Sequence, residues 1–375
     1  MKSPFQYGTL VDKESFVNRV EERKQLKELL GSGINVMLIS PRRWGKSSLV
    51  KVAMDELTQE DKHIRVCFID AFSIKTEAEF YRIFAREVIS CAASTLEKRL
   101  EDVKQFLKAV SPNITLKSDP TDTLSFDLKL ELEEKSVMEI LELPEKIAAA
   151  KGIHLIVCID EFQQLALLPG YKSMEGKMGS AWQKQQQVSY CFYGSKRHMM
   201  MDIFNNSSNP FYRFGQVLFL QKIKKEEWVP FIVNAFHRTN KEISEQQAEQ
   251  LCDIVKCHSW YLQQLCYFIW SGTSEKVTDE IIEIRTRQLI DTNMPMFMND
   301  TENLTAAQTA MLRAVADGEY RFNSIPVVRK YELGSAQTIT RNKRMLTERD
   351  FIEKEGNKYA FSDPIFELWF RREYC

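Results

Sequence analysis

Apolar positions along this chain change their period several times, and each change marks an element. Over residues 20–30 the apolar Leu26, Leu29 and Leu30 recur at helical spacing among charges, and Gly31-Ser32-Gly33 follows as a stop. Short unbroken apolar runs come next, at 35–39, 64–71, 154–159, 188–193 and about 216–220. Runs of that length without alternation read as strands buried on both faces. Helical patterns separate them: Leu49, Val50, Val52, Ala53 and Leu57 after the first run, and about 76–100 after the second. The order predicts an α/β core with a parallel sheet covered by helices.

Two departures from that rhythm divide the rest of the chain. Residues 111–135 alternate (Ile114, Leu116; Leu124, Phe126, Leu128, Leu130, Leu132) around Ser118-Asp119-Pro120, which predicts an inserted hairpin. From Glu226 to about Met296 the pattern is wholly helical. From Leu304 it predicts three helices and then two short strands, over 351–361, around Glu355-Gly356-Asn357: a winged helix-turn-helix order. The expected domains are therefore 1–223, 224–300 and 301–375, in keeping with a length of 375 residues.

Composition narrows the classes. Hydrophobic residues make up 44% and charged residues 27%, near the globular average. A formal net charge of −1 gives no field for drawing in nucleic acid or anionic membrane, so any such contact must be local. Eight cysteines form no CxxC pair and several sit in apolar runs, as Cys158 does, so they read as small buried hydrophobes in a reducing compartment. Five histidines lack metal-ligand spacing. The polar start Met1-Lys2-Ser3-Pro4-Phe5 and the lack of a long apolar run predict a cytoplasmic protein without membrane contact.

Candidate chemistry lies where the predicted strands end. The run at 35–39 feeds Ser40-Pro41-Arg42-Arg43-Trp44-Gly45-Lys46-Ser47-Ser48 and then a helix, the spacing of a phosphate-binding P-loop with Ser40 in place of its first glycine. Gly45 lets the backbone approach phosphates, Lys46 offers a point charge to the β and γ phosphates, and the Ser47 hydroxyl can ligate Mg²⁺. The run at 154–159 ends in Asp160-Glu161, either a pair of acids capping a strand or a Mg²⁺-holding Asp160 beside a water-polarising Glu161. The next strand ends in Gly194-Ser195; Ser195 is a turn residue or a hydrogen-bonding sensor of the γ-phosphate. Arg213, just before the fifth run, is a surface arginine or one that reaches a γ-phosphate in its own or a neighbouring subunit.

These motifs together resemble the archaeal-type ATPase family, prokaryotic signal-transducing (STAND) P-loop NTPases close to AAA+ proteins. Its phosphate loop is similar to residues 40–49, and its Walker B strand to Ile159-Asp160-Glu161-Phe162-Gln163. Its N-terminal box looks like Phe16-Val17-Asn18-Arg19-Val20-Glu21-Glu22, with Asn18 and Val20 as departures. Gly194-Ser195 and Tyr212-Arg213 correspond to further family elements, and residues 258–265 to its lid segment, with Ser259 where the family has proline. Residues 359–369 resemble its winged-helix ending. The resemblance implies an AAA+-like sheet of the ASCE type, a helical lid and a winged helix, with ATP or ADP and Mg²⁺ bound. It also implies that Phe16, Val17, Arg19 and His258 help to frame the adenine.

Two functions then remain open. One is an ATP-operated switch that changes contacts with a protein partner, with a second copy of itself or with DNA. The other is a DNA-binding, initiator- or loader-like module in which ATP licenses assembly. The expected recognition helix, about 335–347, carries Arg341, Lys343 and Arg344, whereas Glu348, Asp350, Glu353 and Glu355 make its surroundings acidic.

Overall fold

A computed structural model of the chain describes residues 2–8, 16–17, 19–92, 117–118, 126–127 and 134–375. The chain forms two compact units, Leu10–Gln221 and a second that joins Met1–Thr9 to Lys222–Cys375.

The first unit is built on α1 (Val20–Gly31), β1 (Val36–Ile39), α2 (Lys46–Glu60), β2 (Ile64–Asp70) and α3 (Glu77–Ala92). After a short antiparallel pair, β3 (Lys117–Ser118) with β4 (Phe126–Asp127), come α4 (Glu134–Lys151), β5 (His154–Asp160), α5 (Tyr171–Trp182), β6 (Val188–Gly194), α6 (Arg197–Asn205) and β7 (Gln216–Phe219). The rest of the hairpin expected over 111–135 lies outside the described residues, as does 93–100 of the helix expected to follow Thr76; only the backbone of Glu134 and Lys135, in α4, is described there.

Five strands form one sheet in the order β2-β5-β6-β1-β7, and every neighbouring pair is parallel. Alternation along the strands explains the unbroken apolar runs. Met37 and Ile39 of β1, Leu155, Val157 and Ile159 of β5, and Tyr190 and Phe192 of β6 enter one core cluster with α3, α4 and α5. Val36, Leu38, Ile156, Cys158, Cys191 and Tyr193 enter the other, with α1 and α2. Both faces of the inner strands β1, β5 and β6 are covered, so their runs show no polar positions with period two.

This order sets the site. Strand β6 lies between β1 and β5, so the loop after β1 and the acids after β5 approach each other across the end of β6. Ile39 is in register with Gly194, and Asp160 with Asp70. Ligands of open parallel sheets bind at such carboxyl-terminal strand ends.

The second unit is helical: α7 (Lys225–His237), α8 (Glu245–Ile254), α9 (Ser259–Gly272) and α10 (Asp279–Glu302). Then come α11 (Ala306–Ala316), α12 (Ile325–Tyr331), α13 (Ala336–Glu348), the hairpin β8 (Ile352–Glu355) with β9 (Lys358–Phe361), and α14 (Pro364–Tyr374). Side-chain oxygens of Ser244, Thr278, Thr305, Ser335 and Asp363 cap five of its helices. From the N-terminus, Phe5 packs on Phe231 and Phe236, and Tyr7 on Trp260, Tyr267 and Phe268. Phe366 joins Phe297, Phe351, Phe361 and Trp369 in an aromatic cluster under the wing. No helix among the described residues is long and apolar enough to cross a membrane.

Candidate nucleotide site

Backbone geometry makes the loop after β1 a phosphate cradle. Arg43 (φ 65°) and Gly45 (φ 85°) lie in the left-handed region, so the chain doubles back before α2 starts at Lys46. Gly45 takes that conformation without a Cβ penalty, whereas Arg43 is strained. Gly45 at the N-cap position of α2 has no side chain to cap the first turn, and a helix start favours negative charge. The loop is tied down at both ends. Ser40, fully buried, donates its N–H to the Gly194 carbonyl at 3.2 Å and its hydroxyl to the Pro41 carbonyl at 3.0 Å. Arg19, 3% exposed, donates to the Trp44 carbonyl at 3.1 Å and pairs with Glu22 at 2.9 Å.

Asp160 and Glu161 meet this loop directly. The Ser47 hydroxyl donates to Asp160 Oδ2 at 2.6 Å, and Lys46 Nζ lies 3.0 Å from Glu161 Oε1 and 3.8 Å from Asp160 Oδ1. Lys46 is 7% exposed, so its charge is matched by carboxylates and little by water. Glu161 is itself left-handed (φ 48°), and its N–H donates to Asp160 Oδ1 at 2.8 Å. That strained turn points the carboxylate at the loop as the following 3₁₀ turn, Phe162–Leu167, departs.

The other Glu161 oxygen is held from β6 and from that 3₁₀ turn. Oε2 accepts the Ser195 hydroxyl at 2.8 Å and Gln163 Nε2 at 2.5 Å. Gln163 is fully buried, and Gly194 makes room for it: a Cβ at 194 would lie 1.9 Å from Gln163 Oε1. Burial pushes the Glu161 carboxyl up, but Lys46, Gln163 and Ser195 outweigh it and hold the group below the usual glutamate range. Asp160 goes the other way: burial raises it, and Lys46 and Ser47 only partly offset this. The two acids thus differ in kind, a firmly ionised Glu161 beside an Asp160 that gains from a cation.

Ser47 and Asp160 present a hydroxyl and a carboxylate oxygen at one point, the hard donors that Mg²⁺ takes, so the donor set fits that ion. Among the described residues no group of three or more His, Cys, Asp and Glu could hold another metal.

Most of the expected residues converge, though not all. Phe16 packs against the core that α1 and α2 share, with the Arg23 guanidinium 5.9 Å from its ring, and Val17 is 5% exposed. Asn18 is outside the described residues. Arg213 (φ 54°) is exposed and precedes β7, whose first residue, Gln216, is in register with Val36 at the start of β1. It therefore lies by the amino-terminal end of β1, whereas the phosphate loop leaves the carboxyl-terminal end, about 10 Å away along four strand residues. His258, in the second unit, is 5% exposed, forms the N-cap position of α9 and has its ring 4.7 Å from that of Tyr261. Gln163 closes the Walker B-like segment read in the sequence, but its hydrogen bond to Glu161 is not legible there.

Comparison with known proteins agrees with this geometry. Residues 16–265 match the family model described as "ATPase domain predominantly from Archaea", and residues 295–372 match "Probable winged helix domain". No curated protein matches the chain. Among solved structures, the Walker-type ATPase of Pyrococcus abyssi is similar at a TM-score of 0.70 and 19% identity, over 98% of this chain and 99% of that one. The ORC2 protein of Aeropyrum pernix, solved in ADPNP-ADP complexes, is similar at a TM-score of 0.60 and 11% identity, over 98% and 99%. Cdc6p of Pyrobaculum aerophilum follows at 0.50 and 10%, over 99% and 98%. With a phosphate loop, paired acids and parallel sheet inside a match of that extent, the chain belongs to the family of ATPase domains found predominantly in Archaea.

Proposed function

We propose that the chain binds ATP with Mg²⁺ on the loop 40–48, hydrolyses it, and uses the nucleotide state as a switch. The observation that carries this reading is the convergence of Lys46, Ser47, Asp160, Glu161 and Ser195 at one strand-end cluster. Loop N–H groups and the start of α2 receive the phosphates, and Lys46 moves from the carboxylates to the β and γ oxygens. Ser47 and Asp160 hold Mg²⁺, and the chemistry the ion supplies when bound is neutralisation of phosphate charge.

Glu161 is the base that polarises the attacking water. Its Oε1 is engaged by Lys46 and its Oε2 by Ser195 and Gln163, so it is restrained until a phosphate draws Lys46 away. Ser195 then reports γ-phosphate loss to the same carboxylate. Phe16, Val17 and Arg19, all in the first unit, frame the adenine. Arg213, remote from the cluster of its own chain, serves that of a neighbouring copy, so full activity requires self-association or a partner.

A second reading is favoured by one surface. Ala336, Gln337, Thr340, Arg341 and Arg344 form a continuous open face of α13, while Ile339, Asn342 and Leu346 are buried beneath it. Such a face suits phosphate contacts in a groove of duplex DNA, which would make DNA the switch's output. ATP hydrolysis measured beside a Lys46→Ala control tests the primary reading: turnover lost in the variant is expected, and equal rates would overturn it.

A further inference from the structure

None of the eight cysteines belongs to the nucleotide site, and no two are joined in a disulfide. Three pairs of thiols nevertheless act on one another's titration: Cys67 with Cys91, Cys158 with Cys191, and Cys252 with Cys257. In the first two the titrating thiol is pushed up, Cys67 by its bond to Cys91 and by burial, Cys158 by burial first. Such thiols pack as small hydrophobes and resist chemistry.

The third pair sits in a different frame. Helix α8 ends at Ile254, and Lys256 (φ 49°) and Cys257 (φ 54°) follow as two consecutive left-handed residues, neither of them glycine. Cys257 N–H donates to the Cys252 carbonyl at 2.8 Å and Lys256 N–H to the Asp253 carbonyl at 3.1 Å. These two bonds define a Schellman helix end, in which residues 252 and 257 are the positions whose side chains ordinarily make an apolar contact. Here both positions are cysteine. Cys252 is fully buried, whereas Cys257 is half-buried.

We propose that Cys257 is an oxidisable site, resolved by Cys252 into a disulfide that staples the turn between α8 and α9. The oxidant is a hydroperoxide of the H₂O₂ class. Cys257 thiolate attacks one peroxide oxygen, the O–O bond breaks and, with one proton taken up, a sulfenic acid and water result. The Cys252 sulfur then displaces the hydroxyl from Cys257, its own proton leaving with that hydroxyl as a second water. Two thiols lose two electrons in total, and one peroxide gains them.

Charge favours Cys257 as the attacking sulfur. The hydrogen bond from Cys252, then Lys225 and Lys222, lower its thiol to about 7 against burial and the opposing charge of Asp253. Cys252 is pushed up by that same bond and by burial, with Cys266 of α9 adding to it, and so remains a protonated resolving thiol. The C-terminal Cys375 supplies a comparison within the chain: it is exposed, but burial of its sulfur and Asp317 raise it. The staple would close one residue before His258, the N-cap position of α9.

Iodoacetamide labelling of the full-length reduced protein, followed by peptide mapping, tests the first half. Cys257 is expected to react about tenfold faster than Cys375 at pH 7, from its larger thiolate fraction. Treatment with H₂O₂ is expected to give an intramolecular Cys252–Cys257 disulfide that dithiothreitol reverses. In Cys252→Ser the sulfenic acid at Cys257 should persist and be trapped by dimedone, whereas Cys257→Ser should show no disulfide at 252. Should Cys252→Ser not fold, wild-type labelling and Cys257→Ser decide. Labelling of Cys257 no faster than Cys375, or a Cys252–Cys257 bond that forms only between chains, would overturn the proposal.

Discussion

Lys46 and Arg341 are both cations that the sequence offers to phosphates, yet their surroundings are opposite. Lys46 is 7% exposed and held between two carboxylates that arrive from a separate strand. Arg341 lies on an open helix face with Arg344, whose guanidinium is 3.6 Å from the exposed Glu348. The first arrangement costs desolvation and strained turns at Arg43 and Glu161, so its geometry points to one kind of ligand. The second costs almost nothing, because exposed arginines are solvated whether or not a partner arrives. A buried cluster specifies chemistry; a solvated face only permits it.

Four variants test that contrast, and the largest effect belongs to Lys46→Ala. Removing the buried cation leaves Asp160 and Glu161 facing each other without the charge they share, so ATP turnover should fall more than about a hundredfold, with affinity lost as well. Isothermal titration with a non-hydrolysable analogue reads the affinity. Glu161→Gln should keep nucleotide affinity within about threefold and still lower turnover by about a hundredfold, because only the proton acceptor is removed. Lost binding in that variant would contradict Glu161 as the base.

The outward face should respond more weakly. Arg341→Glu with Arg344→Glu is expected to leave ATP turnover unchanged and to weaken duplex DNA binding about tenfold at low salt, with the salt slope lower by about two. A wild-type protein that shows no salt-dependent DNA binding would end the DNA reading and leave the switch intact. Smallest is Gly194→Ala. Its methyl group would collide with Gln163 Oε1, and overpacking of this kind costs about 1–3 kcal/mol, read as a lowered Tm. Turnover should fall a few-fold as Gln163 loses Glu161.

Acid tests the same cluster with a definite sign. Glu161 is held below its ordinary value, so its contribution to stability is present above the unfolded glutamate pKa and is lost as pH falls through the folded one. Asp160 is raised, and its ionisation weakens the unliganded fold as pH rises past the unfolded aspartate value. Bound Mg²⁺ should reverse that second effect, so nucleotide with Mg²⁺ should raise Tm more at pH 7 than at pH 4.

Much of this was legible in the residues. The five apolar runs coincide with β1, β2, β5, β6 and β7, and the inner three are the most apolar because both their faces are covered. The phosphate loop and Asp160-Glu161 were readable for the same reason that they are strained: few residues suit those positions. Helix α4 was not foreseen; Pro144 lies inside it, and proline ordinarily argues against a helix interior. Gln163 went unread because its role depends on Gly194 leaving space across β6, a contact between residues 31 positions apart that no local pattern records. Arg213 was read by its neighbours in sequence, and only the register of β7 on β1 reveals at which end of the strands it sits.

The central claim is that Lys46 holds nucleotide while Glu161 turns it over, and one paired measurement tests it: ATP binding and steady-state hydrolysis on wild type, Lys46→Ala and Glu161→Gln under identical conditions. The account predicts that wild type binds and hydrolyses, that Glu161→Gln binds without turnover, and that Lys46→Ala does neither. Hydrolysis by Lys46→Ala at the wild-type rate would contradict it.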